Sequence, residues 1–234
     1  MKTIGLIGGM SWESSAMYYK TINQTVRDRL HPLENAKSLM FTLNFHEIER
    51  LQHAGQWDDL GKILEDAAKR LEAGGADCVV LCTNTMHKLA SWIENAVSIP
   101  LIHIADATAE QIKIQGMKKI GLLGTGFTME QDFYKGRLTE NYRLDVIVPK
   151  KADRDIVNRV IYDELCAGKV EQSSKLEYVR IMQDLIARGC EGIILGCTEI
   201  MLLVGQADSS VPVFDTTTIH AIAAVDFALG QVPA

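Results

Sequence analysis

The chain has 234 residues, 47% of them apolar and 23% charged, with a formal net charge of −6. That is ordinary globular composition, enough for one large domain or two small ones, and it leaves no basic footprint for nucleic acid. No stretch is long enough to span a membrane, and the five cysteines show neither C-x-x-C nor zinc-ligand spacing, which points to free thiols in a reducing, cytoplasmic compartment and away from disulfides or a metal site.

In chain order, Lys2 to Ile7 reads as a strand entered at once, without a signal-peptide layout. Gly8-Gly9-Met10-Ser11-Trp12 is a turn, and Ser11 or Ser14 caps a helix running to about Arg29. Ser38 to Leu43 is a second strand, followed by an irregular polar stretch with a short helical pattern at Phe45 to Ile48. Asp58 to Ala73 carries Leu60, Ile63, Leu64, Ala67, Ala68 and Leu71 on one helical face and is stopped by Gly74-Gly75. Val79 to Leu81 is a buried strand, Thr85 to Asn95 a helix, Pro100 to Ile104 a strand and Ala105 to Gln115 a helix.

The plan then restarts. Lys119 to Gly124 echoes Thr3 to Gly8; Gly189, Glu191, Leu195 and Cys197 fall in register with Gly75, Asp77, Leu81 and Thr83; and Ser210 to Asp215 echoes Ser98 to His103. Between these blocks lie helices from Met129 to Glu140, Asp153 to Ala167 and Ser173 to Arg188, with a strand at Val146 to Val148. A last helix runs from about Thr216. Three blocks in the same order predict an α/β fold of two similar lobes, each a short parallel sheet flanked by helices, related by a pseudo-twofold axis with the site in the cleft between them. The expected division is residues 1–103 as one lobe, completed by the C-terminal helix 212–234, and 104–211 as the other.

Open α/β sheets place ligands at the carboxyl ends of their strands, which here are Cys82-Thr83-Asn84-Thr85 and Gly196-Cys197-Thr198-Glu199. Neither glycine turn, Gly5 to Met10 or Gly121 to Gly126, has dinucleotide spacing; each either offers backbone N–H groups to an anion or simply turns the chain. Cys197 ends a strand, with Thr198 and Glu199 expected to open a helix. There a thiol should ionise more readily than the usual value of about 8.5, toward roughly 7. Cys78 and Cys190 read as small core residues and Cys166 as an ambiguous helical thiol. Because neighbouring side chains on a strand alternate, Cys82 should point into the lobe and Thr83 out of it. His87 is either a site group or an exposed helix residue, with the second reading favoured.

These motifs, with Ile4-Gly5-Leu6-Ile7-Gly8-Gly9-Met10-Ser11, resemble those of the cofactor-independent aspartate/glutamate racemase family, end to end, and most nearly its L-aspartate/glutamate-specific members. The family's first Cys-Asn-Thr is Thr83-Asn84-Thr85 here, so Thr83 stands where the first catalytic Cys usually is, and Cys197 matches the second. The resemblance implies two-base Cα proton transfer by Cys197 and Thr83 on an acidic amino acid, without cofactor or metal, in a homodimer. It implies substrate contacts from Met10, Gln52, Asn84, Thr85, Thr198 and Glu199, a carboxylate anchor at Arg50 or Gln52, and Cys166 in place of a family lysine. Other readings are a one-cysteine relative, such as an arylmalonate-type decarboxylase or maleate-type isomerase, and a non-catalytic amino-acid binding protein.

Overall fold

The structure, a computed structural model, describes residues 1–231; the last three positions of the expected 212–234 segment lie outside the described residues. It contains two four-stranded parallel sheets with the same order. The first is β2-β1-β3-β4, built from β1 (Ile4–Gly8), β2 (Ser38–Thr42), β3 (Cys78–Leu81) and β4 (Leu101–Ile102). The second is β6-β5-β7-β8, built from β5 (Lys119–Gly124), β6 (Asp145–Ile147), β7 (Gly192–Gly196) and β8 (Val213–Asp215). The helices are α1 (Trp12–Arg29), α2 (Phe45–His53), α3 (Trp57–Ala73), α4 (Ala90–Glu94), α5 (Ile104–Ile114), α6 (Gly126–Glu130), α7 (Asp132–Tyr142), α8 (Lys151–Asp163), α9 (Gln172–Ala187) and α10 (Thr216–Ala228). The chain divides into two compact units: Met1–Ile104 with the chain from His220 onward, and Ala105–Ile219.

In the first unit the strands alternate as a doubly covered sheet requires. Ile4, Leu6, Cys78, Val80 and Cys82 pack with Tyr18, Ile22 and Val26 of α1 and Ala221, Ala224 and Val225 of α10. Ile7, Val79 and Leu81 face the other way, against Ile48 and Leu51 of α2 and Leu60 and Leu64 of α3. In the second unit Leu123, Ile193 and Leu195 pack on Val157, Val160 and Ile161 of α8 and Tyr178, Ile181, Met182 and Leu185 of α9.

The repeat holds at the level of single bonds. The Asp77 carboxylate accepts the Thr3 N–H at 2.6 Å while the Asp77 N–H donates to the Thr3 carbonyl at 2.8 Å. Glu191, its counterpart, accepts the N–H groups of Lys118 and Lys119 at 2.6 and 2.8 Å and donates its own to the Lys119 carbonyl at 2.8 Å. Each pair ties the entry of one strand to the entry of the next. Just before them, Gly75 (φ +90) and Gly189 (φ +91) end α3 and α9 in left-handed conformation. The following N–H groups, of Ala76 and Cys190, bond back to Leu71 and Leu185, the arrangement of a Schellman end.

Several elements depart from expectation. The helix expected from Thr85 is a 3₁₀ turn over Thr85–Leu89 followed by the short α4. The strand expected from Pro100 to Ile104 is only Leu101–Ile102, because Ile104 already opens α5. The helix expected at Met129 begins earlier, at Gly126, where the Thr125 hydroxyl accepts the Thr128 N–H at 3.3 Å, and it breaks at an extended Gln131. The stretch to Ala167 leaves the α-helix at Asp163 and ends as a 3₁₀ turn at left-handed Gly168.

Candidate active site

In the first unit β3 ends at Leu81 and the chain turns at once, the Thr83 N–H bonding to the Leu81 carbonyl at 2.8 Å. Cys82 is fully buried among the residues packed on α1 and α10, and burial pushes its thiol up. Thr83 is 8% exposed; Asn84 and Thr85 are buried beside it. Gln52 is buried on the inner face of α2 and its Nε2 donates to the sulfur of Met86 at 3.0 Å, which brings it to the turn that follows Thr83. Met10 packs with Leu51 and Met86 in the same apolar group. Arg50 is exposed. Two positions along a helix lie about 200° apart, so α2 turns Arg50 and Gln52 to different surroundings.

His87 corrects an expectation. It is 3% exposed, not a surface helix residue. Its Nδ1 lies 2.7 Å from the Thr83 carbonyl and its Nε2 receives the Ile104 N–H at 3.3 Å. The ring sits edge-on to His103 and His220, with centroids 4.5 and 5.8 Å away. The signal in the sequence was the four-residue spacing from Thr83; its burial depends on rings brought in from β4 and α10.

In the second unit β7 runs to Gly196, where a side chain is barred: a Cβ would meet the Leu123 carbonyl at 2.8 Å. Cys197 follows, 8% exposed, among Val157, Tyr178 and Ile200. Its thiol donates to Glu199 Oε2 at 3.0 Å, and the Thr198 hydroxyl donates to the same oxygen at 2.9 Å. Glu199 is 2% exposed. The first turn of α10 braces this strand end: the Thr216 hydroxyl donates to the Leu195 carbonyl at 2.7 Å and the Thr217 hydroxyl to the Thr198 carbonyl at 3.4 Å. Cys166, half-buried on the turn after α8, packs on the same apolar group and lies close enough to Cys197 for the two sulfurs to interact electrostatically.

This geometry overturns the expected acidity of Cys197. Burial first, then the Glu199 carboxylate, push its thiol well above the ordinary value. No α-helix starts after it; Ile200–Leu202 is a single 3₁₀ turn, too short to supply a dipole. The resting group is a buried thiol hydrogen-bonded to the Glu199 side chain. The glycine turns are also less open than expected. The Gly9 N–H is taken by the Ser15 hydroxyl at 2.8 Å and the Gly126 N–H by Asn158 Oδ1 at 2.7 Å, so these two amides serve the fold.

Solved structures share this fold. The crystal structure of a Yersinia pestis protein described as a candidate Asp/Glu racemase is 56% identical, covering 98% of this chain and 100% of that one, with a TM-score of 0.92. An aspartate racemase homologue from Pyrococcus horikoshii is 37% identical over the same shares, with a TM-score of 0.85. The broad specificity amino-acid racemase RacX of Bacillus subtilis is 26% identical over 164 residues, 68% of each chain. The Asp/Glu/Hydantoin racemase family model matches residues 7–224, so nearly the whole of both repeats is accounted for, and the chain belongs to that family.

Proposed function

We propose that this chain is a cofactor-independent racemase of acidic amino acids, aspartate or glutamate, working by two-base Cα proton transfer with Cys197 and Thr83. The observation that carries the reading is the buried pair of Cys197 and Glu199, a thiol 3.0 Å from a carboxylate oxygen at the carboxyl end of β7. Thr83 occupies the same position at the end of β3, in a sheet of the same order. The reading requires both to address one carbon from opposite faces.

Glu199 takes the thiol proton, leaving a thiolate and a carboxylic acid. The thiolate removes the Cα hydrogen, and the C–H electron pair moves into the α-carboxylate as an enediolate. Asn84, Thr85 and Thr198 supply donors for that charge; losing one such donor commonly costs about a hundred- to a thousandfold in rate. The Thr83 hydroxyl then protonates the opposite face and is left as an alkoxide. The cycle closes when water carries the Glu199 proton to Thr83. Gln52, buried at Met86, suits the side-chain carboxylate better than exposed Arg50. A homodimer in the cytoplasm completes the reading, and five cysteines outside any disulfide suit a reducing compartment.

The test is Cys197→Ala, assayed with L- and D-aspartate and L- and D-glutamate by chiral chromatography and by Cα deuterium uptake in heavy water. Both racemisation and uptake should disappear while the melting temperature holds. Activity retained within about tenfold of wild type would remove Cys197 from the mechanism, because general-base catalysis is usually worth more than that.

A further inference from the structure

The two strand ends are braced differently, and the difference falls on the weaker of the two proposed bases. Thr83 and Cys197 are equivalent in the repeat, so the position after Cys197 that matches His87 is Met201. A thioether cannot donate a hydrogen bond. In the second unit α10 braces the strand end through Thr216 and Thr217, and the thiol itself is held by Glu199. In the first unit the corresponding place is filled by an imidazole.

The hydrogen bonds fix the state of that imidazole. The Ile104 N–H can only donate, so Nε2 of His87 accepts and carries no proton. The Thr83 carbonyl can only accept, so Nδ1 carries the proton. His87 is therefore neutral and in its Nδ1–H form, and both nitrogens are engaged, which disqualifies it as the base. The same logic fixes His220 beside it. Its Nε2–H donates to the Ile102 carbonyl at 2.6 Å, and its Nδ1 accepts the Tyr18 hydroxyl at 2.8 Å. Two oriented imidazoles thus tie the segment around His103 to α1 on one side and to Thr83 on the other. With its N–H on Leu81 and its carbonyl on His87, the Thr83 backbone is held at both ends, and only the side-chain torsion is left to aim the hydroxyl.

Resting on the racemase reading, we propose that His87 is a positioning residue: its Nδ1–H clamps the Thr83 carbonyl and so sets where the Thr83 hydroxyl can point. A hydroxyl is a poor acid and depends on placement; an error near 1 Å at a reacting group can cost about a hundredfold. The Cys197 half-reaction does not use this clamp. Loss of His87 should therefore slow inversion more than it slows exchange.

The experiment compares wild type, His87→Leu and His87→Asn in heavy water, following Cα deuterium uptake by NMR and inversion by chiral chromatography. In His87→Leu, the ratio of uptake to inversion should rise at least about tenfold for the enantiomer that presents its proton to Cys197. His87→Asn keeps an N–H near the place of Nδ1 and should recover most of the inversion. Parallel loss of both rates, unchanged inversion in His87→Leu, or failure of His87→Asn to improve on His87→Leu overturns the assignment. Should His87→Leu fail to fold, nitrogen-15 NMR of histidine-labelled wild type decides: the neutral Nδ1–H form of His87 supports the clamp, and the Nε2–H form or an imidazolium overturns it. Wild-type protein that neither exchanges nor inverts aspartate or glutamate would overturn the racemase reading itself, separately from these outcomes.

Discussion

At the scale of single residues the unusual feature is a thiol whose proton is held, not released. Glu199, itself buried, accepts both the Cys197 thiol and the Thr198 hydroxyl on one oxygen. A negative carboxylate beside a sulfur disfavours the thiolate, yet it is also the group to which the thiol donates. Glu199→Gln separates these two effects. Removing the charge should bring the Cys197 thiol down toward its ordinary value, so thiolate absorbance, read against Cys197→Ala, should appear at lower pH than in wild type. Catalysis should move the other way, because an amide cannot take the proton, and a loss of about a hundredfold or more in both exchange and racemisation is expected. A variant that keeps its activity would show that the carboxylate only orients the thiol. Thr83 sets the second expectation. L and D amino acids have equal energy, so no catalyst can favour one at equilibrium, but a hydroxyl and a thiol make unequal half-reactions. Thr83→Cys should speed inversion and bring it closer to the rate of Cα exchange, measured for both enantiomers.

At the scale of elements the sequence carried most of the fold, and carried it where the backbone demands particular residues. Gly75 and Gly189 match because both helix ends need a left-handed residue. Asp77 and Glu191 match because each clamps the entry of a neighbouring strand with its carboxylate. Such constraints are local and leave the same mark in each repeat. What was not legible came from distant chain. His87 looked exposed because a 3₁₀ turn has no amphipathic period of its own, and the rings that cover it arrive from His103 and His220. Thr198 and Glu199 read as the start of a helix that would acidify Cys197, whereas the chain makes 3₁₀ turns before β8, and burial followed by the Glu199 carboxylate raises the thiol instead. The helix ends offer a direct check. Nothing lies within 4 Å of a Cβ at Gly75, so Gly75→Ala introduces backbone strain alone. It should lower stability by about 1 kcal/mol, as should Gly189→Ala, read as a shift in urea midpoint with an unchanged slope.

At the scale of the whole molecule, stability should depend on pH through a histidine that the fold refuses to charge. His220 sits where α10 meets Tyr18 and the Ile102 carbonyl. Burial lowers its pKa from 6.5 to about 4, against a smaller opposing effect of the bond to Ile102. The unfolded chain takes up a proton as pH falls through about 6.5, while the folded chain declines it until about 4. Over that window the unfolded state binds more protons, so stability falls as pH falls, and below about 4 this contribution is lost in full. At 1.36 kcal/mol for each pH unit between the two values, the loss is about 3 kcal/mol, a large share of what holds a domain together. His220→Gln removes the titration and keeps an N–H that can reach the Ile102 carbonyl. It should be less stable than wild type at pH 7.5, where the shape of the imidazole is missed. Between pH 6.5 and 4 its stability should fall more gently than that of wild type, by about one proton in slope. Urea unfolding at several pH values in that window measures both curves. Parallel curves for the two proteins would mean that His220 charges as readily in the folded chain as in the unfolded one, and that the acid sensitivity of this fold resides in its carboxylates.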